Sequence, residues 1–225
     1  NYDFTLVSTP LTGLDTKIFY KHYETDNRSD RITKTDTTAS PPSFTNDLFD
    51  YRKDRYGLEL GFRLPARFTL STGYTYTHVR RQREDIPEND DDLYIVGLRW
   101  SGLDFMVARL EYERLNRSAD FHTPEVAATD PQIMETWIRR FDAASQDRDT
   151  VSAAFDFFPL EDLNFGVAFR WRDAKYRDTV LGLRESKAEG FNFDIRYQLA
   201  KPLNLYGSFD YERAKQYQFQ RQLPF

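Results

Sequence analysis

The chain contains no cysteine, which removes disulfides, thiolate metal sites and the C-x-x-C-H attachment of a covalent haem. It also lacks any run of about 20 consecutive apolar residues, the length a transmembrane helix requires. Histidine is scarce. His22, His78 and His122 stand far apart, without H-E-x-x-H or paired spacing, and read as surface or interface residues rather than metal ligands. No serine sits in G-x-S-x-G, so the chain is read as a non-enzyme. A net charge of −5 leaves no electrostatic footprint for nucleic acid. The opening residues N-Y-D-F-T-L-V-S already alternate like a strand, and the lack of a signal peptide is neutral, since a secreted protein would have lost that segment.

What is present is aromatic, charged and alternating. Phe and Tyr number 19 and 14 in 225 residues, and 30% of the chain is charged. From Thr150 to Glu212 the sequence reads as two β-hairpins. Val151, Ala153, Phe155 and Phe157 alternate with Thr150, Ser152, Ala154 and Asp156, and Phe165, Val167, Phe169 and Trp171 alternate with Gly166, Ala168, Arg170 and Arg172. Phe191, Phe193, Ile195 and Tyr197 repeat the scheme against Asn192, Asp194, Arg196 and Gln198. Successive strand side chains point to opposite faces, so each strand has one apolar and one polar face. In a soluble sandwich the apolar face would pack on a second sheet. In a transmembrane barrel it would meet lipid, with the charged face lining the lumen.

Strand-like runs fall at about 2–8, 14–24, 56–64, 68–79, 93–100, 104–114, 150–158, 163–172, 190–199 and 203–212. Every second connection is a tight turn, and the others, at about 25–55, 80–92, 115–149 and 173–189, are long and polar. Strict alternation puts all long loops at one end of a sheet, as in outer-membrane barrels, whereas sandwiches mix hairpins with Greek-key crossovers. The fold expected is therefore all-β: an antiparallel up-and-down transmembrane β-barrel region spanning 1–225, in the outer membrane of a Gram-negative bacterium. Two aromatic bands support it, with Trp100, Phe157 and Phe165 near the short turns and Tyr20, Tyr76, Tyr94, Tyr112, Trp171 and Tyr211 toward the long loops.

The lumen wall expected from this pattern includes Glu59, Arg63, Arg99, Arg109, Glu111, Asp156, Arg170, Arg172, Asp194, Arg196, Asp210 and Glu212. Its mixed signs suggest a self-neutralising lattice, with Asp156 beside Arg170 or Arg172 and Arg196 beside Asp210. An ion-selective pore would instead show an excess of one sign. Wall glycines at Gly57, Gly61, Gly73, Gly97 and Gly166 suggest room for a neighbouring backbone. The acidic stretch 84–92 reads as a solvated loop tip; calcium is an alternative, although the D-x-D-x-D-G order is missing. Asp130-Pro131 followed by Ile133, Trp137 and Phe141 suggests a short helix within a long loop.

R-R-F-D-A-A-S-Q-D-R-D-T-V at 139–151, F-P-L-E-D-L-N-F-G at 158–166, Y-R-D-T-V-L-G-L at 176–183 and Y-G-S-F-D-Y-E at 206–212 resemble the MtrB/PioB family of outer-membrane β-barrels. The first half fits the same hairpin style with less distinctive words. The resemblance implies a barrel that sheathes a periplasmic multihaem c-type cytochrome for electron transfer across the outer membrane. Haem would lie in that partner, with no cofactor or metal held by this chain, and an outer-surface cytochrome is a further candidate partner. Some members carry a C-x-x-C pair near the mature N-terminus; this chain has none, which fits a missing N-terminal region or a divergent member. A diffusion porin for small solutes is the alternative function. Strands about 4.8 Å apart and tilted about 40° would close ten into a tube only about 20 Å across. No haem protein passes through that, so the sheath reading requires these strands to be an arc of a larger barrel.

Overall fold

The computed structural model describes residues 1–30, 32–35, 43–45, 50–82, 86–120, 143–179 and 181–220. Its strands are β1 (Tyr2–Leu11), β2 (Leu14–Thr25), β3 (Thr33–Thr35), β4 (Ser43–Thr45), β5 (Tyr51–Leu64), β6 (Phe68–Arg81), β7 (Glu88–Leu103), β8 (Met106–Asp120), β9 (Gln146–Leu160), β10 (Leu163–Tyr176), β11 (Gly182–Ala200) and β12 (Leu203–Phe219). Ten of them form one sheet in the order β1-β2-β5-β6-β7-β8-β9-β10-β11-β12, while β3 and β4 make a separate small hairpin. Each strand pairs antiparallel with its neighbour in the order. The sheet is open: among the described residues β1 pairs only with β2, and β12 only with β11.

Tight turns set the register. Gly13, at φ 86°, closes β1 onto β2, where a side chain would be strained. Between β5 and β6, Ala66 and Arg67 take left-handed conformations at φ 58° and 60°, at a cost of about 1–2 kcal/mol each. Leu64 then faces Phe68 and the ladder runs without a slip to Tyr51 against Arg81.

The strands run further than the sequence pattern indicates. Asp90, Asp91 and Asp92 lie within β7, not at a loop tip, and His78, Thr77 and Tyr76 stand opposite them. β8 and β9 extend to Asp120 and back from Gln146, and β10 and β11 leave only 177–181 between them. Alternation hides this because charged residues replace apolar ones on the same face beyond the apolar band. The expected helix near 130–141 and residues 84–85 lie outside the described residues.

Register assigns the faces. Leu58 stands between Ile18 and Tyr74 on the apolar face, and Glu59 between Lys17 and Gly73 on the other. Val167 likewise stands between Phe155 and Phe193, and Gly166 between Asp156 and Asp194. The apolar face is uncovered: Leu58, Phe169 and Phe209 are 40%, 45% and 57% exposed. An apolar face of this size left bare in water would be an association surface; in a bilayer it is solvated by lipid. Environment-sensitive labels on cysteines replacing Leu58, Leu60, Phe62, Val167, Phe169, Phe193 or Ile195 are expected to be quenched by lipid-phase quenchers in reconstituted barrels. Labels at Glu59, Arg63, Arg170, Asp194 and Arg196 are expected to escape, and equal quenching of both sets would contradict this assignment.

Candidate functional site

The apolar face ends in an organised boundary toward the long connections. Tyr20 donates its hydroxyl to Asp54 at 2.8 Å, Tyr74 to Asp92 at 2.5 Å, Tyr76 to Asp90 at 2.6 Å and Tyr112 to Asp149 at 2.6 Å. Each acceptor sits on the next strand, two residues further out than the residue facing the tyrosine. The ring thus stays in the apolar band while the hydroxyl reaches the charged level, as an amphipathic aromatic does at a membrane interface. His22 and His78 place Nδ1 2.7 Å from Asp54 and Asp90, and Arg114 holds Asp149 at 2.6 Å. Rings also stack between strands: Tyr20 on Tyr56, Tyr74 near Tyr94 and, at the short-turn end, Phe157 on Phe165 and Phe68 on Trp100. All nine residues assigned to aromatic bands share the apolar face: Tyr20, Tyr76, Tyr94, Trp100, Tyr112, Phe157, Phe165, Trp171 and Tyr211. Sequence reasoning missed the aspartates that anchor Tyr20, Tyr76 and Tyr112, although D-R-Y at 54–56 and D-D-D at 90–92 continue the alternation with polar residues.

The opposite face carries Glu59, Arg63, Arg99, Arg109, Glu111, Asp156, Arg170, Arg172, Asp194, Arg196, Asp210 and Glu212 together. It divides into two regions. From β1 to β9 many acids and bases meet across strands, although Arg99, Glu111, Glu113 and Arg148 take no ion-pair partner among the described residues. Lys21 binds Asp3 at 2.8 Å, Lys17 binds Glu59 at 3.1 Å, Arg63 binds Asp15 at 2.9 Å and Arg109 binds Asp156 at 2.5 Å. Arg117 grips Asp91 with two bonds, Nε to Oδ1 at 2.7 Å and Nη2 to Oδ2 at 2.9 Å. That fork is the least exposed pair of the wall, at 18% and 16%.

From β10 to β12 the wall differs. Arg170, Arg172, Asp194, Arg196 and Glu212 take no ion-pair partner among the described residues. The expected contacts of Asp156 with Arg170 or Arg172 do not form, because register sets Asp156 against Gly166 and Arg170 against Ser152. Arg196 likewise faces Tyr206, and Asp210 instead accepts from Asn192 at 2.5 Å. A register shift between Leu163 and Phe165 moves the ladder by one residue, so counting outward from the turn at 161–162 would set Asp156 against Val167 instead.

Three wall glycines are filled by the chain's own side chains. Phe19 lies over Gly57, with Lys17 and Arg55 5.1 and 5.5 Å from its ring centre, and Ser71 and Asp194 cover Gly97 and Gly166. Those positions serve internal packing, contrary to the expectation of room for another backbone.

No group of acids and histidines with metal-binding arrangement occurs among the described residues. Asp90, Asp91 and Asp92 are instead engaged by Tyr76 with His78, by Arg117, and by Tyr74.

An antiparallel up-and-down sheet with one apolar face, aromatic bands at both ends and one charged face is the wall of an outer-membrane β-barrel. The sequence profile of the outer membrane beta-barrel porin family MtrB/PioB matches residues 1–223, and the chain belongs to that family. The match includes the first half, where the sequence motifs are less distinctive. Outer membrane protein MtrB of Shewanella baltica (strain OS185) is 22% identical over 169 residues, covering 74% of this chain and 24% of that protein. The chain thus spans about a quarter of that relative's length. Among solved structures, outer-membrane expressed OmpT of Vibrio cholerae superposes with a TM-score of 0.51 at 9% identity, over 77% of this chain and 46% of that one. In-vitro folded OmpT also gives 0.51 at 8% identity, over 94% and 78%. These likenesses show the fold, an outer-membrane barrel wall. In a wall of this fold the apolar face is the one that meets lipid and the charged face the one that lines the lumen.

The Asp91–Arg117 fork offers a stability test. Removing either partner leaves the other charge partly buried, at a cost of about 1–3 kcal/mol. Asp91→Ala and Arg117→Ala should each lower the urea midpoint of the reconstituted barrel, while the double variant loses clearly less than their sum. Strict additivity would show that the two side chains do not interact.

Proposed function

We propose that these ten strands are an arc of a large outer-membrane barrel that encloses a periplasmic multihaem c-type cytochrome, so that electrons cross the membrane along the partner's haems. One observation carries the reading: the uncompensated charges of β10–β12, set in a wall many of whose remaining charges are paired. In a water-filled lumen they are solvated. Against an inserted protein they require complementary charges, and such charges fix orientation and register more than they add affinity.

Three further points support an enclosing role. The sheet is open at both edges, an arrangement lipid does not tolerate, since unpaired backbone groups have no partner in hydrocarbon. Ten strands would close to only about 20 Å, so further strands are needed to admit a protein. The family resemblance supplies the class of occupant. In this reading the chain holds no haem itself and performs no catalysis; it insulates and positions, and an outer-surface cytochrome would exchange electrons with the enclosed one.

The full-length barrel in liposomes should pass electrons across the membrane only when the multihaem partner is present. Arg170→Glu combined with Arg172→Glu should reduce haem retained on the purified barrel while insertion stays intact. If the empty barrel passes small solutes freely, and the double reversal changes solute selectivity but never haem retention, the family's porin description defines the function instead.

A further inference from the structure

Three of the charges without an ion-pair partner, Arg170, Arg172 and Glu212, line a shallow depression of about 410 Å³ together with Asp210. Register orders it in rows. Ser152, Arg170, Gly190 and Glu212 stand side by side from β9 to β12, and Ala154, Ala168, Asn192 and Asp210 form the next row. The floor is thus small, and its two sides carry opposite charge: Arg170 and Arg172 on β10, Asp210 and Glu212 on β12.

Arg170 and Glu212 lie in one row yet do not pair. β11 separates them, which puts their strands about 10 Å apart, and Gly190 places nothing between them. This glycine differs from Gly57, Gly97 and Gly166. A Cβ there would meet only the Tyr211 carbonyl oxygen, at 3.7 Å, with no side-chain atom of the described residues within 4 Å of it.

We propose that this depression is a docking notch for one dipolar segment of the enclosed protein, with an acidic group against Arg170 and Arg172 and a basic group against Asp210 and Glu212. The inference rests on the sheath reading and specifies where the occupant touches the wall. The charge spacing selects the segment: residues seven apart on a helix are separated by about 10.5 Å along its axis, matching two strand spacings. A free amino acid, whose opposite charges are separated by two bonds from one carbon, does not span it. The small floor lets the helix approach closely enough to place both charges.

Gly190→Leu tests this directly, because an added side chain has ordinary contacts and no backbone strain, and so fills the notch without disturbing the sheet. Gly61→Leu is the control: its Cβ would meet Asp15 at an ordinary 3.7 Å, elsewhere on the same wall. In full-length barrels purified from outer membranes, Gly190→Leu should lower haem retained per barrel roughly tenfold, more than most interface residues contribute, and Gly61→Leu should not. A photo-crosslinking residue at Ala168 should capture a partner peptide carrying an acid and a base about seven residues apart. If wild type retains haem and Gly190→Leu retains as much, the notch is refuted while the sheath stands. A captured peptide without that charge pair refutes it too. If wild type retains no haem, the sheath fails first. An effect of Gly190→Leu on solute flux alone assigns the depression to permeation.

Discussion

A polypeptide in hydrocarbon has no water to satisfy its amides and carbonyls, and every backbone group must find a partner within the protein. The rest of this structure depends on that constraint. It requires continuous ladders, which β5 and β6 provide from Leu64 facing Phe68 to Tyr51 facing Arg81. Continuous ladders impose a period of two, so one face can be apolar and the other charged although no segment is hydrophobic as a whole. The same constraint explains the boundary: where the apolar band ends, Tyr20, Tyr74, Tyr76 and Tyr112 donate their hydroxyls to aspartates two residues further out on the next strand.

The charged wall is two surfaces joined along one sheet. From β1 to β9, cross-strand ion pairs such as Lys17–Glu59 and Arg109–Asp156 compensate much of the wall's charge. From β10 to β12, Arg170 and Glu212 are separated by a strand with glycine between them. An acid in place of Gly190 on β11 would stand directly beside Arg170; the wall instead keeps the two charges a strand apart. That separation is what links the register to the proposed role of this wall as a surface for an enclosed partner.

The fold was legible because turn chemistry and alternation are local. Gly13, Pro65 and the turn at 161–162 mark short connections without reference to the rest of the chain, and the ten strands of the sheet follow. The faces were legible for the same reason, since parity survives small errors in strand ends. Pairing was not. Asp156 was assigned to Arg170 or Arg172 by nearness along the strands, whereas the ladder sets it against Gly166 and its carboxylate turns to Arg109 on the other side. Asp90–Asp92 looked like a loop tip because sequence shows only that charge begins there, not that the ladder continues. Phe19 and Gly57 are 38 residues apart by number, and only the register brings that ring over that glycine.

Cryo-electron microscopy of the full-length barrel, purified from outer membranes without separating what it carries, tests the central claim most directly. The account predicts further strands beside both β1 and β12, a lumen well over 20 Å across, and haem-containing protein density against the β10–β12 wall. A closed ten-stranded tube with β1 paired to β12, or a wide barrel whose lumen holds only water, would contradict it.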